Sequence, residues 1–312
     1  MTRISVVLPA YNESRNLVTL VPRVAAAISV PGMEVEILVV DDGSRDETRS
    51  VMRELAASHA GVRYLRLSRN FGKEAAISAG LAHARGDAVI LMDSDGQHPV
   101  EMLATFIERW REGYEVVYAV QRRRQEGWLM TRMKQVFYRL LSFGSHIDIP
   151  PNAGDFRLID RRAVDALNDL PERNRYMKGL YAWVGFHALA VEFDPPPRTE
   201  GVSQFGWRRL IRLGLTGYTA FSVVPLRLIS LAGMAVSIGA LIYGAYVVID
   251  RLIFGTDLPG WATVVAGMML LSGVQLVSLG VLGEYLGRVF EEVKQRPLYL
   301  IAEDTGGKPK AT

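Results

Sequence analysis

Cysteine is missing from all 312 residues, which excludes disulfides, thiolate metal sites and thiol nucleophiles together. A secretory signal is missing as well. After Thr2 and Arg3, the run Ile4-Ser5-Val6-Val7-Leu8 has the length of a strand and not of a signal h-region, so the N-terminal part is expected to stay in the cytoplasm. Internal repeats and low-complexity stretches are absent, and no nucleic-acid motif accompanies the arginines, which disfavours nucleic-acid binding. Net charge is low, +3, a mild basicity that suits an anionic membrane surface. What the chain has in excess is apolar residues, 49% of the total at a mean hydropathy of +0.12, and they collect toward the C-terminus. The length favours two structural parts.

The first part alternates strand-like and helix-like segments. Ile4–Leu8, Val35–Val40, Val62–Leu67, Ala88–Met92 and Val116–Val120 read as strands. Between them, Leu17–Ile28 is amphipathic, Asp41-Asp42-Gly43-Ser44 caps a helix whose first turn holds Asp46 and Glu47, Phe71–Ala84 forms a third helix, and Pro99 opens a fourth. This rhythm predicts an α/β, Rossmann-like, mostly parallel sheet with flanking helices. Ligands bind such sheets beyond the carboxyl ends of the strands, and the polar clusters fall there.

Later segments point to lipid. Trp128–Phe143 mixes Arg132, Lys134 and Arg139 with aromatic and aliphatic residues, as an ordinary helix on the sheet or as one at the lipid boundary. Trp207–Leu215 repeats that character and reads as an amphipathic interface helix. Leu228–Ile249 carries no charge over 22 positions, and Leu258–Gly283 is a second such run; about 20 residues cross a hydrocarbon core. Arginines at 208, 209, 212 and 227 precede the first span, and Arg288, Lys294 and Arg296 follow the second. The positive-inside rule then makes the two spans a transmembrane hairpin with both flanks cytoplasmic, in the inner cell membrane. Gly233, Gly239, Gly244, Gly267, Gly273 and Gly280 would permit close helix packing within the chain or between protomers of a homo-oligomer. The expected division is a cytoplasmic catalytic domain over 1–200, an amphipathic juxtamembrane segment over 201–227, two transmembrane helices over 228–286 and a cytoplasmic tail over 287–312, polar and disordered after Leu300.

Chemistry centres on Asp93-Ser94-Asp95. Two carboxylates after a buried strand suit a hard divalent cation, Mg²⁺ or Mn²⁺, which takes oxygen ligands and bridges protein to substrate phosphates; Gln97 and His98 lie close by. The same pattern also occurs as a turn or cap. Asp41-Asp42-Gly43-Ser44 offers carboxylates to a base or ribose, and also serves as a helix cap and turn. Pro9-Ala10-Tyr11-Asn12-Glu13 offers an aromatic face. Gly72-Lys73 opens a helix where N–H groups and an ammonium meet phosphate, although a solvated lysine is the commoner reading.

Taken together, V-V-L-P-A-Y-N-E, V-V-D-D-G-S, R-N-F-G-K and D-S-D-G-Q-H-P resemble, in order and spacing, the large inverting glycosyltransferase family 2 with the type-A (GT-A) fold. Within it the chain is similar to polyprenyl-phosphate hexosyltransferases, the bactoprenol-phosphate glucosyltransferases and dolichol-phosphate mannose synthases. The resemblance extends through Gly154–Leu158, Glu172–Gly179, Pro225–Arg227 and Gly283–Pro297, covering nearly the whole chain. It implies that Pro9, Tyr11, Glu13 and Asp42 hold the nucleoside, with Lys73 and Ser94 also on the donor. Asp93, Asp95 and Gln97 would bind the metal and diphosphate. Asp155 and Arg157 would flank the reacting centre, and Arg122–Arg124 and Arg132, with Ser203, would receive the lipid phosphate. The chain departs from the family pattern at Gln121 and Gln204, where basic residues are usual.

The implied reaction moves a hexose, glucose from UDP-glucose by first choice, onto a polyprenyl phosphate. Mannose from GDP-mannose or a modified sugar such as an aminoarabinose derivative is the alternative donor. A processive polysaccharide synthase is disfavoured because no Gln-x-x-Arg-Trp motif occurs. A non-catalytic scaffold or sugar-lipid transport component is the rival outside enzymes; neither span holds an internal charge of the kind that marks a transport path.

Overall fold

The computed structural model describes residues 2–28, 32–122, 153–173, 175–193, 224–254 and 260–306. Those within 2–193 and 296–306 form one compact unit, and those within 224–295 a second.

The first unit begins with β1 (Thr2–Ala10), α1 (Ser14–Ala27), β2 (Met33–Asp41), α2 (Thr48–Ser58), β3 (Val62–Leu67), α3 (Lys73–His83) and β4 (Ala88–Leu91). It continues with α4 (Met102–Arg111), β5 (Val116–Gln121), β6 (Ala153–Asp160), α5 (Arg161–Asp169), α6 (Met177–Trp183), β7 (Ala188–Phe193) and, after the second unit, β8 (Ile301–Asp304). The sheet order is β7-β5-β6-β4-β1-β2-β3-β8. Strands β4, β1, β2 and β3 run parallel, while β6 is antiparallel to both β4 and β5. The mostly parallel sheet of the sequence reading is present, with β6 inserted between β4 and β5 against the prevailing direction.

The central strands are covered on both faces and so read as continuous apolar runs. Ile4, Val6 and Leu8 pack in one core with Leu17, Leu20, Val21 and Val24 of α1, Phe106 of α4 and Phe156 of β6. On the opposite face α3 approaches β1 so closely that a Cβ at Gly80 would lie 2.2 Å from Val7 Cγ1. Because β1 connects toward β2 while β4 lies on its other side, the switch point of the topology falls between β1 and β4, where such sheets open a crevice.

Three expectations need correction. The helix after β2 starts later than its acidic residues: Asp46 lies before α2 and accepts from the Thr48 N–H at 3.0 Å, whereas Asp41 accepts from the Ser44 N–H within the turn. Residues 301–306, expected as part of a disordered tail, are ordered against the sheet. Ile301–Asp304 is an antiparallel edge strand on β3, with Asp304 paired to Arg63 of β3 and Glu303 to Arg49 and Arg53 of α2. Among the described residues, an added Cβ at any of the six glycines of the two long apolar helices would meet nothing within 4 Å, so these glycines do not bring the helices into close contact there.

The second unit holds α7 (Val224–Phe254) and α8 (Trp261–Val293), both long and apolar enough to cross a membrane. Their large apolar side chains are outward and uncovered, Leu231, Ile242, Leu252 and Leu276 among them. The expected amphipathic helices at 128–143 and 207–215 lie outside the described residues.

Candidate active site

Pairing of β4 with β6 builds the centre. Leu91 stands opposite Arg157 in the antiparallel register; continued two residues past the strand, that register sets Asp93 across from Asp155. Lys73, the first residue of α3, closes the gap. Its Nζ lies 2.7 Å from Asp93 Oδ1 and 2.8 Å from Asp155 Oδ2. The two carboxylates are thus joined by one ammonium. Burial opposes its charge, but Asp155 and Asp93 prevail and raise the Lys73 pKa.

Asp155 is the most enclosed of the three. Burial works against its ionisation, yet Lys73 first, then Lys178 and Arg157, hold its carboxyl below the ordinary range. Among the described residues its Oδ1 is buried with no hydrogen-bond partner. Alternation along β6 puts Arg157 on the same face. Arg157 is buried, stacked 3.7 Å from the Tyr181 ring centroid, and donates to the Gly154 carbonyl.

Around Asp93, Ser94 is buried and donates to the Pro9 carbonyl at 2.8 Å, tying the end of β4 to the end of β1. Asp95 is exposed and its Oδ1 accepts from the Gln97 N–H at 3.0 Å. His98 accepts from the Asp93 N–H at 3.3 Å and stacks on Phe156. Among the described residues no three His, Asp or Glu side chains converge as a ready metal cage. The donor set at Asp93 and Asp95 is nevertheless all oxygen and acidic, which fits a hard cation completed by substrate oxygens and water.

The β1 and β2 loops are knitted into one wall. Asn12 N–H donates to Ser44 Oγ at 2.9 Å, Arg45 N–H to Asn12 Oδ1 at 2.9 Å, and Glu13 N–H to Thr48 Oγ1 at 3.1 Å. Tyr11 projects from it, 40% exposed. Burial pushes the Glu13 carboxyl up, with Asn16 opposing. Asp42 has a structural part in a turn, as the sequence allowed beside a nucleoside contact: its oxygens accept from the Phe71 N–H at 2.7 Å and the Gly72 N–H at 2.9 Å. It therefore fixes the turn that delivers Lys73. Burial raises its pKa, and those two bonds oppose the rise.

Arg122 follows β5 at the same sheet edge, exposed and paired with Glu192 at 3.2 Å. Arg124, Arg132 and Ser203 lie outside the described residues. Glu74 and Tyr181 went unassigned in the sequence. Glu74 accepts from the Met177 N–H at 3.3 Å, linking α3 to α6, and its carboxyl is pushed up to about 7 by burial first and Asp155 second. The signal available was an acid directly after the lysine that opens a helix.

Residues 5–167 match glycosyl transferase family 2, and residues 224–289 match the GtrB C-terminal hairpin. The uncharacterized glycosyltransferase sll0501 of Synechocystis sp. is 43% identical over 96% of this chain and 95% of its own length. The bactoprenol glucosyl transferase of Shigella phage SfII is 41% identical over 98% of this chain and 100% of its own. In fold, the chain is similar to the mannosyltransferase PcManGT from Pyrobaculum calidifontis, solved with GDP-Man and Mn²⁺. That similarity has a TM-score of 0.51 at 18% identity and covers 94% of this chain and 86% of that one.

Proposed function

The chain belongs to glycosyl transferase family 2, and from that premise we propose that it transfers a hexose, glucose from UDP-glucose, to a polyprenyl phosphate at the cytoplasmic face of the inner membrane. One observation carries this reading. A lysine-bridged pair of carboxylates lies at the switch point of an α/β sheet, in a chain that rejoins the same sheet as β8 after two helices long enough to span a bilayer. If α7 and α8 cross the membrane, that return puts both ends of the hairpin on the catalytic side, in agreement with the flanking arginines. The name of the phage relative supports glucose and a bactoprenol acceptor.

The transfer is a direct displacement. An acceptor phosphate oxygen attacks the anomeric carbon, the carbon–oxygen bond to the diphosphate breaks, and the nucleoside diphosphate leaves with that electron pair, inverting α to β. A phosphate monoester has its second pKa near 6, so the acceptor is already anionic and needs no strong base. The protein must instead align two anions and screen their repulsion. Asp93, Asp95 and Gln97 would hold Mg²⁺ or Mn²⁺, which supplies neutralisation of the departing diphosphate. The wall of Pro9, Tyr11 and Glu13 receives the nucleoside, with Asp42 shaping it. Asp155, kept ionised, orients the sugar or a facing cation, with Arg157 bracing it. Arg122, Arg124, Arg132 and Ser203 are the candidates to meet the lipid phosphate.

Full-length protein in detergent, given UDP-glucose, Mn²⁺ and a short polyprenyl phosphate, should release UDP and form a glucosylated lipid, and Asp95→Asn should abolish both while the protein still folds. GDP-mannose in a parallel arm tests the alternative donor. Lipid glucosylation undiminished in Asp95→Asn would refute the site, and no sugar transfer from either donor would favour a scaffold.

A further inference from the structure

We propose that Lys73 is an internal stand-in for the divalent cation, so that lysine and metal exclude each other at Asp93 and the nucleoside diphosphate exchanges one for the other. This rests on the reading of Asp93 as a metal ligand and adds how the site is loaded.

The geometry is that of a site already holding a cation. An ammonium lies between two carboxylates, 2.7 and 2.8 Å away, where the carboxylates would otherwise face each other with their charge unscreened. A metal ion on Asp93 Oδ1 would stand within a few ångströms of that ammonium, and two cations do not share one oxygen without strong repulsion. The base of Lys73 is fixed, because Asp42 holds the Phe71 and Gly72 N–H groups immediately before it. The stem is not: the side chain is 47% exposed, and four methylenes let the head swing while its backbone stays in place. A diphosphate arriving at the start of α3 gives the ammonium a new anionic partner and frees Asp93 for the metal. The two-carboxylate supply from the protein points the same way, since the remaining oxygens must come from substrate and water.

Metal should then bind weakly alone and more tightly with nucleotide, and reciprocity requires the metal to tighten nucleotide binding by the same factor. Removing the ammonium removes the competitor. The test is Mn²⁺ binding to the full-length protein, read from the electron paramagnetic resonance of free Mn²⁺, with and without UDP. Wild type should bind Mn²⁺ poorly alone and at least about tenfold tighter with UDP, while Lys73→Met binds Mn²⁺ alone on the order of tenfold tighter than wild type. Lys73→Arg, which keeps a cation there, should stay weak. Lys178→Met removes a neighbouring positive charge from another element and controls for a general change in field. If wild type binds Mn²⁺ with UDP but Lys73→Met is no tighter alone, or if Lys178→Met tightens it equally, the stand-in is wrong. If no form binds Mn²⁺ under either condition, the metal reading falls, and the stand-in with it.

Discussion

Asp304 and Glu303 are neighbours on β8, and replacing each with alanine should have very different consequences. Asp304 receives both Nε and Nη2 of Arg63, at 2.9 and 2.7 Å, in a forked pair whose side chains are only 10% and 8% exposed. Asp304→Ala leaves those two donors buried and unpaired and also deprives the Gly306 N–H of its acceptor. Breaking a buried pair by removing one partner costs about 3–5 kcal/mol. Glu36 at 3.3 Å and the His83 carbonyl at 2.8 Å still hold Nη1, which reduces the expected cost to roughly 2–3 kcal/mol. For a unit of this size that corresponds to a fall of roughly 5–10 °C in melting temperature. Glu303 points the other way along the strand and meets Arg49 and Arg53, which are half exposed; such pairs are screened by water and salt, so Glu303→Ala should lower the melting temperature by a small fraction of that. Thermal unfolding of both variants in one detergent, with limited proteolysis of the C-terminal segment, makes the comparison. Equal losses, or an unmoved Asp304→Ala, would show that burial of the fork does not hold β8 to β3.

Two further outcomes follow from the centre itself. Glu74, at about 7 in the fold against 4.5 as a free side chain, keeps a proton that the unfolded chain has released between those values. The fold therefore loses stability as pH rises through that window, with the penalty complete above it. Glu74→Gln keeps an acceptor for the Met177 N–H and cannot ionise, so it should gain on the order of 2 kcal/mol over wild type between pH 5 and 8; a melting difference that does not change with pH refutes this. Gly43 sits at φ +67° where an added Cβ would be 2.5 Å from the Arg69 carbonyl carbon. Gly43→Ala should cost about 1–3 kcal/mol and raise the KM for the sugar nucleotide more than it lowers kcat, because it parts the Asp42 turn from the Lys73 turn; an unchanged KM would detach that turn from donor binding.

Local pattern carried much of the architecture. Strands β1 to β5 are legible because central parallel strands must be apolar throughout, and α7 and α8 because each holds an apolar, uncharged run of helical length near that of a bilayer span. β6 and β8 were not legible as partners of β4 and β3. An antiparallel register between residues some 70 apart, or between Arg66 and Glu303, leaves no trace in a window of ten residues. Ile301-Ala302-Glu303-Asp304 reads as a polar tail because its charges look solvated; they are partnered only once Arg49, Arg53 and Arg63 are brought alongside.

The site shows the same division more sharply. Asp93, Ser94 and Asp95 stand together in sequence, and their placement after a buried strand marks them as a site. The motifs mark Lys73 and Asp155 separately, as a phosphate ligand and a group near the reacting centre, and nothing in either motif joins them. What joins them is the reversed direction of β6. Were it parallel to β4, its carboxyl end and not its start would meet the crevice, and Asp155 would lie at the far edge of the sheet. Because β6 enters where β4 ends, Asp155 arrives opposite Asp93, and an ammonium from α3 reaches both. The antiparallel insertion is thus what converts two aspartates and a lysine from separate loops into one electrostatic unit, with Asp42 fixing the turn from which the lysine acts.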